Sequence, residues 1–167
     1  MTPIRFDDGT GLDLRPIEPT DADALVEFHN RLSVESTRLR FFSPHPVLSA
    51  GEVERFTHVD HERREALVAF DGDTIVAVAR YDGLPDSDIA EVAFVVADGW
   101  RGKGLATSLL HVLADLARQR GYHRLVADTL CENRPMAAVF QRSGFPERHT
   151  IDQGVLHFAM ELDAPVP

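Results

Sequence analysis

The stretch from Ile89 to Thr107 limits what this chain can fold into more than any other. Ile89-Ala-Glu-Val-Ala-Phe-Val-Val-Ala97 is a short, almost wholly apolar run with one acid in it, Glu91. Its length and its β-branched and aromatic content predict a strand inside a sheet. It enters the turn Asp98-Gly-Trp-Arg-Gly-Lys-Gly104, after which Leu105, Leu109, Val112, Leu113 and Leu116 recur at helical spacing up to Gly121. Gly102 and Gly104 allow positive φ and a close approach of backbone to a ligand. The free N–H groups of the first helical turn, from Leu105 through Ala106 to Thr107, then face that ligand, and the helix dipole adds positive potential. Arg101 and Lys103 supply positive charge. The pattern reads as a cradle for a phosphate or pyrophosphate; on spacing alone, a solvated turn is the alternative. A triphosphatase loop fails, because Ala97 and Gly104 stand where it needs Gly and Ser/Thr, and Thr107 replaces the last glycine of the dinucleotide fingerprint.

The remaining chain supplies a sheet for this unit. Gly11 to Ile17 predicts an edge strand closed by Pro16, with the first ten residues loose. Thr20 is the expected cap of a helix carrying Leu25, Val26, Phe28 and Leu32, with Asp21 and Asp23 in its first turn. Ser33 to Phe42 predicts a short second helix, and Ser49 with Glu52 a capping box opening a third. Ala66–Phe70 and Thr74–Tyr81 flank Asp71-Gly72-Asp73, a hairpin signal. Arg124–Leu130 predicts a strand, Arg134–Arg142 a helix ended by Gly144, and Phe145–Ile151 with Val155–Leu162 a closing strand pair. The order β, α-rich, then βββ–α–β–α–ββ gives a mixed α/β sheet with helices on both faces.

Composition narrows the functions. Lys+Arg 17 against Asp+Glu 27 leave a net charge of −10, which argues against sequence-independent nucleic-acid binding and suits a basic acceptor. The single Cys131 forms no internal disulfide, and the longest apolar run, Val92 to Ala97, is too short to cross a bilayer. The opening residues lack the pattern of a signal peptide, so a cytoplasmic protein without membrane contact is expected. A single domain over 1–163 with a tail at 164–167 is the expected organisation.

Arg101-Gly-Lys-Gly-Leu-Ala106 fits the Q/R-x-x-G-x-G/A signature of the GNAT superfamily of acyl-CoA-dependent N-acetyltransferases. Ala90–Val96 resembles that family's fourth strand, and Glu132-Asn-Arg-Pro-Met with Phe140-Gln-Arg-Ser-Gly-Phe145 resembles its closing motif. More narrowly, Leu14-Arg-Pro-Ile17, Ser36–Ser43, Phe56–Asp60 and Val78-Ala-Arg-Tyr81 resemble bacterial protein lysine acetyltransferases of the Pat type. Such domains commonly accompany a regulatory domain, and none is recognisable here.

The resemblance implies a mostly antiparallel central sheet with a splay between its fourth and fifth strands, filled by the pantetheine arm of acetyl-CoA. It places Phe94, Val95 and Val96 on the pantetheine amides, the amides from Arg101 through Gly102, Lys103, Gly104, Leu105 and Ala106 to Thr107 on the pyrophosphate, and Asn133 near the cofactor. It implies direct transfer of acetyl to an amine, with no metal. Glu91 is the expected general base, burial raising its pKa toward neutrality. By resemblance the acceptor is a lysine of an AMP-forming acyl-CoA synthetase. A small-molecule amine, or a non-catalytic acyl-CoA sensor, is the alternative. Phe140 stands where many relatives carry a tyrosine that protonates the departing thiolate, so the general acid is unassigned.

Weaker candidates read as structural. His58 and His61 beside Asp60 lack further ligands at metal spacing. His111 is expected on the solvated side of its helix, His149 and His157 near an acceptor groove, and Cys131 as a packed strand-end thiol. The cluster Arg38, Arg40, Phe41 and Phe42 either shapes the acceptor groove or covers the sheet, and Trp100 is either a lid on the cofactor or a plug beneath it.

Overall fold

The computed structural model describes residues 2–5 and 9–163; the expected tail at 164–167 lies outside the described residues. Eight strands form one sheet in the order β1 (Thr2–Arg5), β2 (Gly11–Pro16), β3 (Arg64–Asp71), β4 (Thr74–Gly83), β5 (Ile89–Val96), β6 (Arg124–Leu130), β8 (Val155–Glu161), β7 (Glu147–Asp152). Every neighbouring pair is antiparallel except β5 with β6. The helices are α1 (Ala22–Arg31), α2 (Val34–Phe41), α3 (Ala50–Thr57), α4 (Leu105–Gln119) and α5 (Arg134–Gln141).

Two apolar layers hold the helices to the sheet. On one face Leu105, Leu109, Leu110, Leu113, Ala114 and Ala117 form the buried stripe of α4, resting on Ala79, Tyr81, Val92 and Phe94. Each fully buried leucine of that stripe contributes about 1.5–3 kcal/mol. On the other face Leu25 and Phe28 of α1 cover Ala66, Val68, Phe70, Ile75 and Val78, with Phe56 of α3 beside them. Gly121, at φ 90°, ends the long helix in the left-handed conformation that glycine tolerates. Among the described residues no helix is long and apolar enough to cross a membrane.

Local signals carried most of this. Ser49 and Glu52 form the capping box, and Ser33 accepts from the Ser36 amide to start α2. Three expectations are corrected. Thr2–Arg5, within the segment expected to be loose, pairs with Arg5 opposite Gly11 and Thr2 opposite Leu14, so β2 is not the edge of the sheet. Thr20 does not cap α1: it lies in a short 3-10 turn over Pro19–Asp21, and Asp21 takes the cap position. The Asp21 carboxylate, 6% exposed, accepts two bonds from Arg15 at 2.7 and 2.8 Å and one from the Glu18 amide. It is a tie between β2 and the helix start rather than a solvated first-turn charge.

Candidate active site

The parallel pairing of β5 with β6 lasts three residues, Ile89, Ala90 and Glu91 against Arg124, Leu125 and Val126. Beyond Glu91 the strands part, β5 running on to Val96 and β6 to Leu130. The splay is therefore present, and the extra strand β1 makes it the gap between the fifth and sixth strands. A groove of about 380 Å³ occupies it. Of the residues expected at a cofactor, Phe94, Val95, Val96, Arg101, Gly102, Gly104, Leu105, Ala106, Thr107 and Asn133 line this groove. Lys103 does not; its ammonium lies 5.6 Å from the centre of the Trp100 ring.

The loop between β5 and α4 has the geometry its glycines suggested. Gly102 and Gly104 have φ of 75° and 78°, and Gly104 caps α4 without any side-chain acceptor for the first helical N–H groups. A Cβ at either glycine would meet nothing within 4 Å, so conformation and not crowding demands glycine. Ser36, 2% exposed on α2, fastens the loop: its hydroxyl donates to Asp98 at 2.6 Å and accepts from the Arg101 guanidinium. Arg101 is thus engaged with Ser36 and Asp98. Trp100 is partly buried, packing against the core and lining the groove. Asn133 caps α5, its side chain accepting from the Met136 amide at 3.4 Å.

Glu91 does not line the groove. Its neighbours Ala90 and Val92 are buried under α4, so strand alternation turns Glu91 to the opposite face, at the apex of the splay. There Asp82 of β4 is its register partner, and Asp128 lies two residues past its β6 partner Val126. The expectation of burial needs correcting, because Glu91 is exposed. Its carboxyl is nonetheless pushed above the usual range, first by partial desolvation, then by repulsion from Asp128 and Asp82, against a smaller pull from Arg40. Asp82 is committed to Arg64 at 3.1 Å, and Asp128 to His157 at 2.6 Å.

Phe140, 1% exposed, packs between Phe94 and Phe158 at centroid distances of 5.9 and 5.2 Å and offers no proton. Close to it in the groove lining is a residue that sequence reasoning missed. Thr129 of β6 is 3% exposed, and its Oγ1 is the one buried side-chain polar atom without a hydrogen-bond partner among the described residues. The alternation Leu125, Ala127, Thr129 on the inward face of β6 was the available signal.

The minor candidates resolve into structure. His61 meets Glu65 at 2.7 Å, and exposed His111 meets the Ser143 carbonyl at 2.7 Å. Among the described residues no group of three His, Cys, Asp or Glu side chains is placed to hold a metal. Arg38 joins Glu35 to Glu132, spanning from α2 to the start of α5. Arg40 lines the groove, Phe41 stacks on His45 at 4.2 Å, and Phe42 is an exposed left-handed helix end.

The profile of the Acetyltransferase (GNAT) family matches residues 31–145. The chain belongs to the GNAT acetyltransferase family. The GNAT domain of S. lividans PAT superposes with a TM-score of 0.90 at 39% identity, covering 96% of each chain. Acetyltransferase PA5475 of Pseudomonas aeruginosa is 29% identical over 144 residues, 84% of this chain and 77% of that protein. The acetyltransferase Pat of Mycolicibacterium smegmatis is 29% identical over 146 residues, 85% of this chain and 43% of that protein. As a GNAT enzyme it is an acetyltransferase that uses acetyl-CoA. The groove suits an extended arm ending in phosphates. It offers an uncapped helix N-terminus with two left-handed glycines at one end, the unpaired edges of β5 and β6 along its length, and the orphaned Thr129 hydroxyl inside.

Proposed function

We propose that this GNAT domain acetylates the side-chain amine of a lysine in a folded protein, an AMP-forming acyl-CoA synthetase being the acceptor, with Glu91 as general base. The observation that carries the reading is the place of Glu91: a carboxyl pushed upward at the apex of a splay whose other end is a glycine loop and the N-terminus of α4. The 39% identity to the S. lividans PAT domain over 96% of both chains supports a protein acceptor. The chain spans less than half of the mycobacterial Pat, so a regulatory partner or domain is part of the proposal.

Acetyl-CoA supplies the acetyl group as a thioester. The rest falls to the chain. The backbone of Phe94, Val95 and Val96 aligns the arm, and the amides from Arg101 to Thr107 hold the phosphates. A lysine at neutral pH, with a pKa of about 10.4, is the free amine in only about 1 of 2,500 molecules. Glu91, directly or through a water, takes the proton as the amine approaches, and its raised pKa brings it nearer that task. Asp82 and Asp128 around it favour the approach of a cation. Phe140 gives no general acid; with a thiol pKa of about 8.5, the departing thiolate takes its proton from water.

The test is coenzyme A release from acetyl-CoA with a purified acetyl-CoA synthetase, wild type beside Glu91→Gln. Release matched to acetylation of one synthetase lysine, lowered about 10²–10⁴-fold in the variant, is expected. An unchanged rate in the variant refutes the base. Turnover confined to free small amines refutes the protein acceptor.

A further inference from the structure

The acceptor side of the site contains two arginines that the chain leaves without a counter-ion. Arg80 of β4 is 6% exposed, yet among the described residues its side chain makes no hydrogen bond or ion pair; its guanidinium lies over the Phe56 ring, 4.4 Å from its centre. Arg40 of α2 is likewise unpaired and lies 4.7 Å over the Phe41 ring. Both line a small cleft between the sheet and α1, α2 and α3. Arg40, Ala93 and Val95 also line the main groove, so the cleft adjoins it. The acids nearby act on the pair only from a distance: Asp82 is held by Arg64 at 3.1 Å and faces Arg55 at 3.9 Å, Glu52 is held by His45 and the Ser49 amide, and Glu91 forms no ion pair with either arginine.

A buried guanidinium is retained only where something compensates its lost hydration. Stacking on an aromatic ring does so in part and leaves the N–H edge free for an anion. Burial and the second arginine push the pKa of Arg80 down to about 9, the mark of a cation lacking its anion. The chain carries a net charge of −10, and still four arginines, 40, 55, 64 and 80, surround one aspartate here. The cleft holds about 30 Å³. That is room for about two water-sized groups, which admits the two oxygens of a carboxylate. In the β4–β5 ladder Arg80 pairs with Ala93 and Asp82 with Glu91, which sets Arg80 diagonally from Glu91 at a Cα separation on the order of 7–8 Å.

We infer that the Arg40–Arg80 cleft binds a carboxylate of the acceptor while the acceptor's amine reaches Glu91. The inference rests on the proposed transfer to an amine at Glu91 and names what else that acceptor must carry. Two sources share the chemistry: an acidic residue beside the target lysine of a protein, and the α-carboxylate of a free amino acid.

The experiment compares two acceptor pairs in wild type, Arg80→Met and Arg40→Met. One pair is two capped peptides with a single lysine flanked by Glu in one and by Gln in the other; the second is free lysine and lysine amide. Coenzyme A release gives kcat/KM, and calorimetry with coenzyme A present gives peptide affinity. Arg40→Met alters a partly exposed helix position and keeps the test open if Arg80→Met does not fold. The wild type is expected to favour the carboxylate-bearing member of one pair by about tenfold or more, the preference falling below about twofold in the variants. Preference within the peptide pair identifies a protein acidic residue; preference within the lysine pair identifies a small amino acid. Equal turnover of both pairs by the wild type, or a preference that both variants keep, overturns the inference. If no amine is acetylated, binding decides separately. Tighter binding of the Glu peptide that Arg40→Met abolishes sustains the cleft and refutes the transfer; equal binding of the two peptides refutes the cleft.

Discussion

Replacing Thr129 by valine is expected to move stability and affinity in opposite directions. The Thr129 side chain is 3% exposed and its Oγ1 has no partner among the described residues. A buried hydroxyl left unsatisfied costs about 1–3 kcal/mol. Valine has nearly the same shape, so Thr129→Val removes the penalty without opening a cavity, and the added methyl gains about 0.8 kcal/mol of burial. In a domain of this size about 1 kcal/mol corresponds to roughly 2–4 °C in Tm, so the ligand-free variant should melt about 4–15 °C higher. The groove lining that contains Thr129 is where the arm of acetyl-CoA is proposed to lie. If that arm satisfies the hydroxyl, the variant loses one neutral hydrogen bond, about 0.5–1.5 kcal/mol, and binds acetyl-CoA about 2–10-fold more weakly. Urea denaturation and calorimetric titration measure the two quantities. Thr129→Ser should preserve affinity while losing stability with its methyl. A valine variant no more stable than wild type, or one that binds acetyl-CoA equally well, would refute the argument.

Other outcomes are equally specific. The Glu91 carboxyl has a folded-state pKa above its unfolded one, so the folded protein holds the extra proton and stability falls as pH rises through that window. Glu91→Gln should therefore unfold at higher temperature than wild type at neutral pH, the difference vanishing below the ordinary carboxylate range; a less stable variant at pH 7 contradicts the assigned shift. Gly104→Ala puts a Cβ at φ 78° at a cost of about 1–2 kcal/mol, which in an exposed loop should appear as a roughly 5–30-fold loss of coenzyme A affinity. Gly99→Ala, where φ is ordinary and space is open, should bind as wild type does; equal affinities for the two variants would refute the cradle. A Cβ on Gly83 would fall 2.0 Å from the Tyr122 hydroxyl oxygen and 2.7 Å from its ring. Gly83→Ala is thus expected to lose about 1–3 kcal/mol of stability in urea, and an unchanged midpoint would show that Tyr122 moves freely.

What could be read from sequence divides by the range of the signal. The Ser49–Glu52 box, the Asp71–Asp73 hairpin, the stripe of α4 and the two loop glycines are set by residues within a few positions of one another, and each formed as expected. The splay itself came from resemblance, since no local property of Val92 or Leu130 states that their strands diverge. Thr20 was misread because Pro19 opens a 3-10 turn that Asp21 closes on the Glu18 amide, and Arg15 on β2 then holds the Asp21 carboxylate; the local turn, not the preference of one hydroxyl, sets the helix start. The pairing of Thr2–Arg5 was hidden by its shortness and by Pro3. The environment of Glu91 was half legible. Its strand predicted an acid among apolar neighbours, but the exposure of its carboxyl and the acids beside it depend on β4 and β6. Arg40 and Arg80 are 40 residues apart and meet only through the packing of α2 and α3 on the sheet.

The short parallel ladder also makes β5 a ruler. From Glu91, where the strands part, to Val96, where the turn to the glycine loop begins, the chain takes five steps, about 17 Å at strand rise. A donor anchored by its phosphates at the start of α4 must therefore carry its reactive bond on an extended arm of about that reach. An acyl thioester on a shorter arm is held at the cradle or presented to Glu91, but not both. On the proposed assignment of the two ends, the strand selects the donor by length, while the chemistry of the acceptor is judged at its other end.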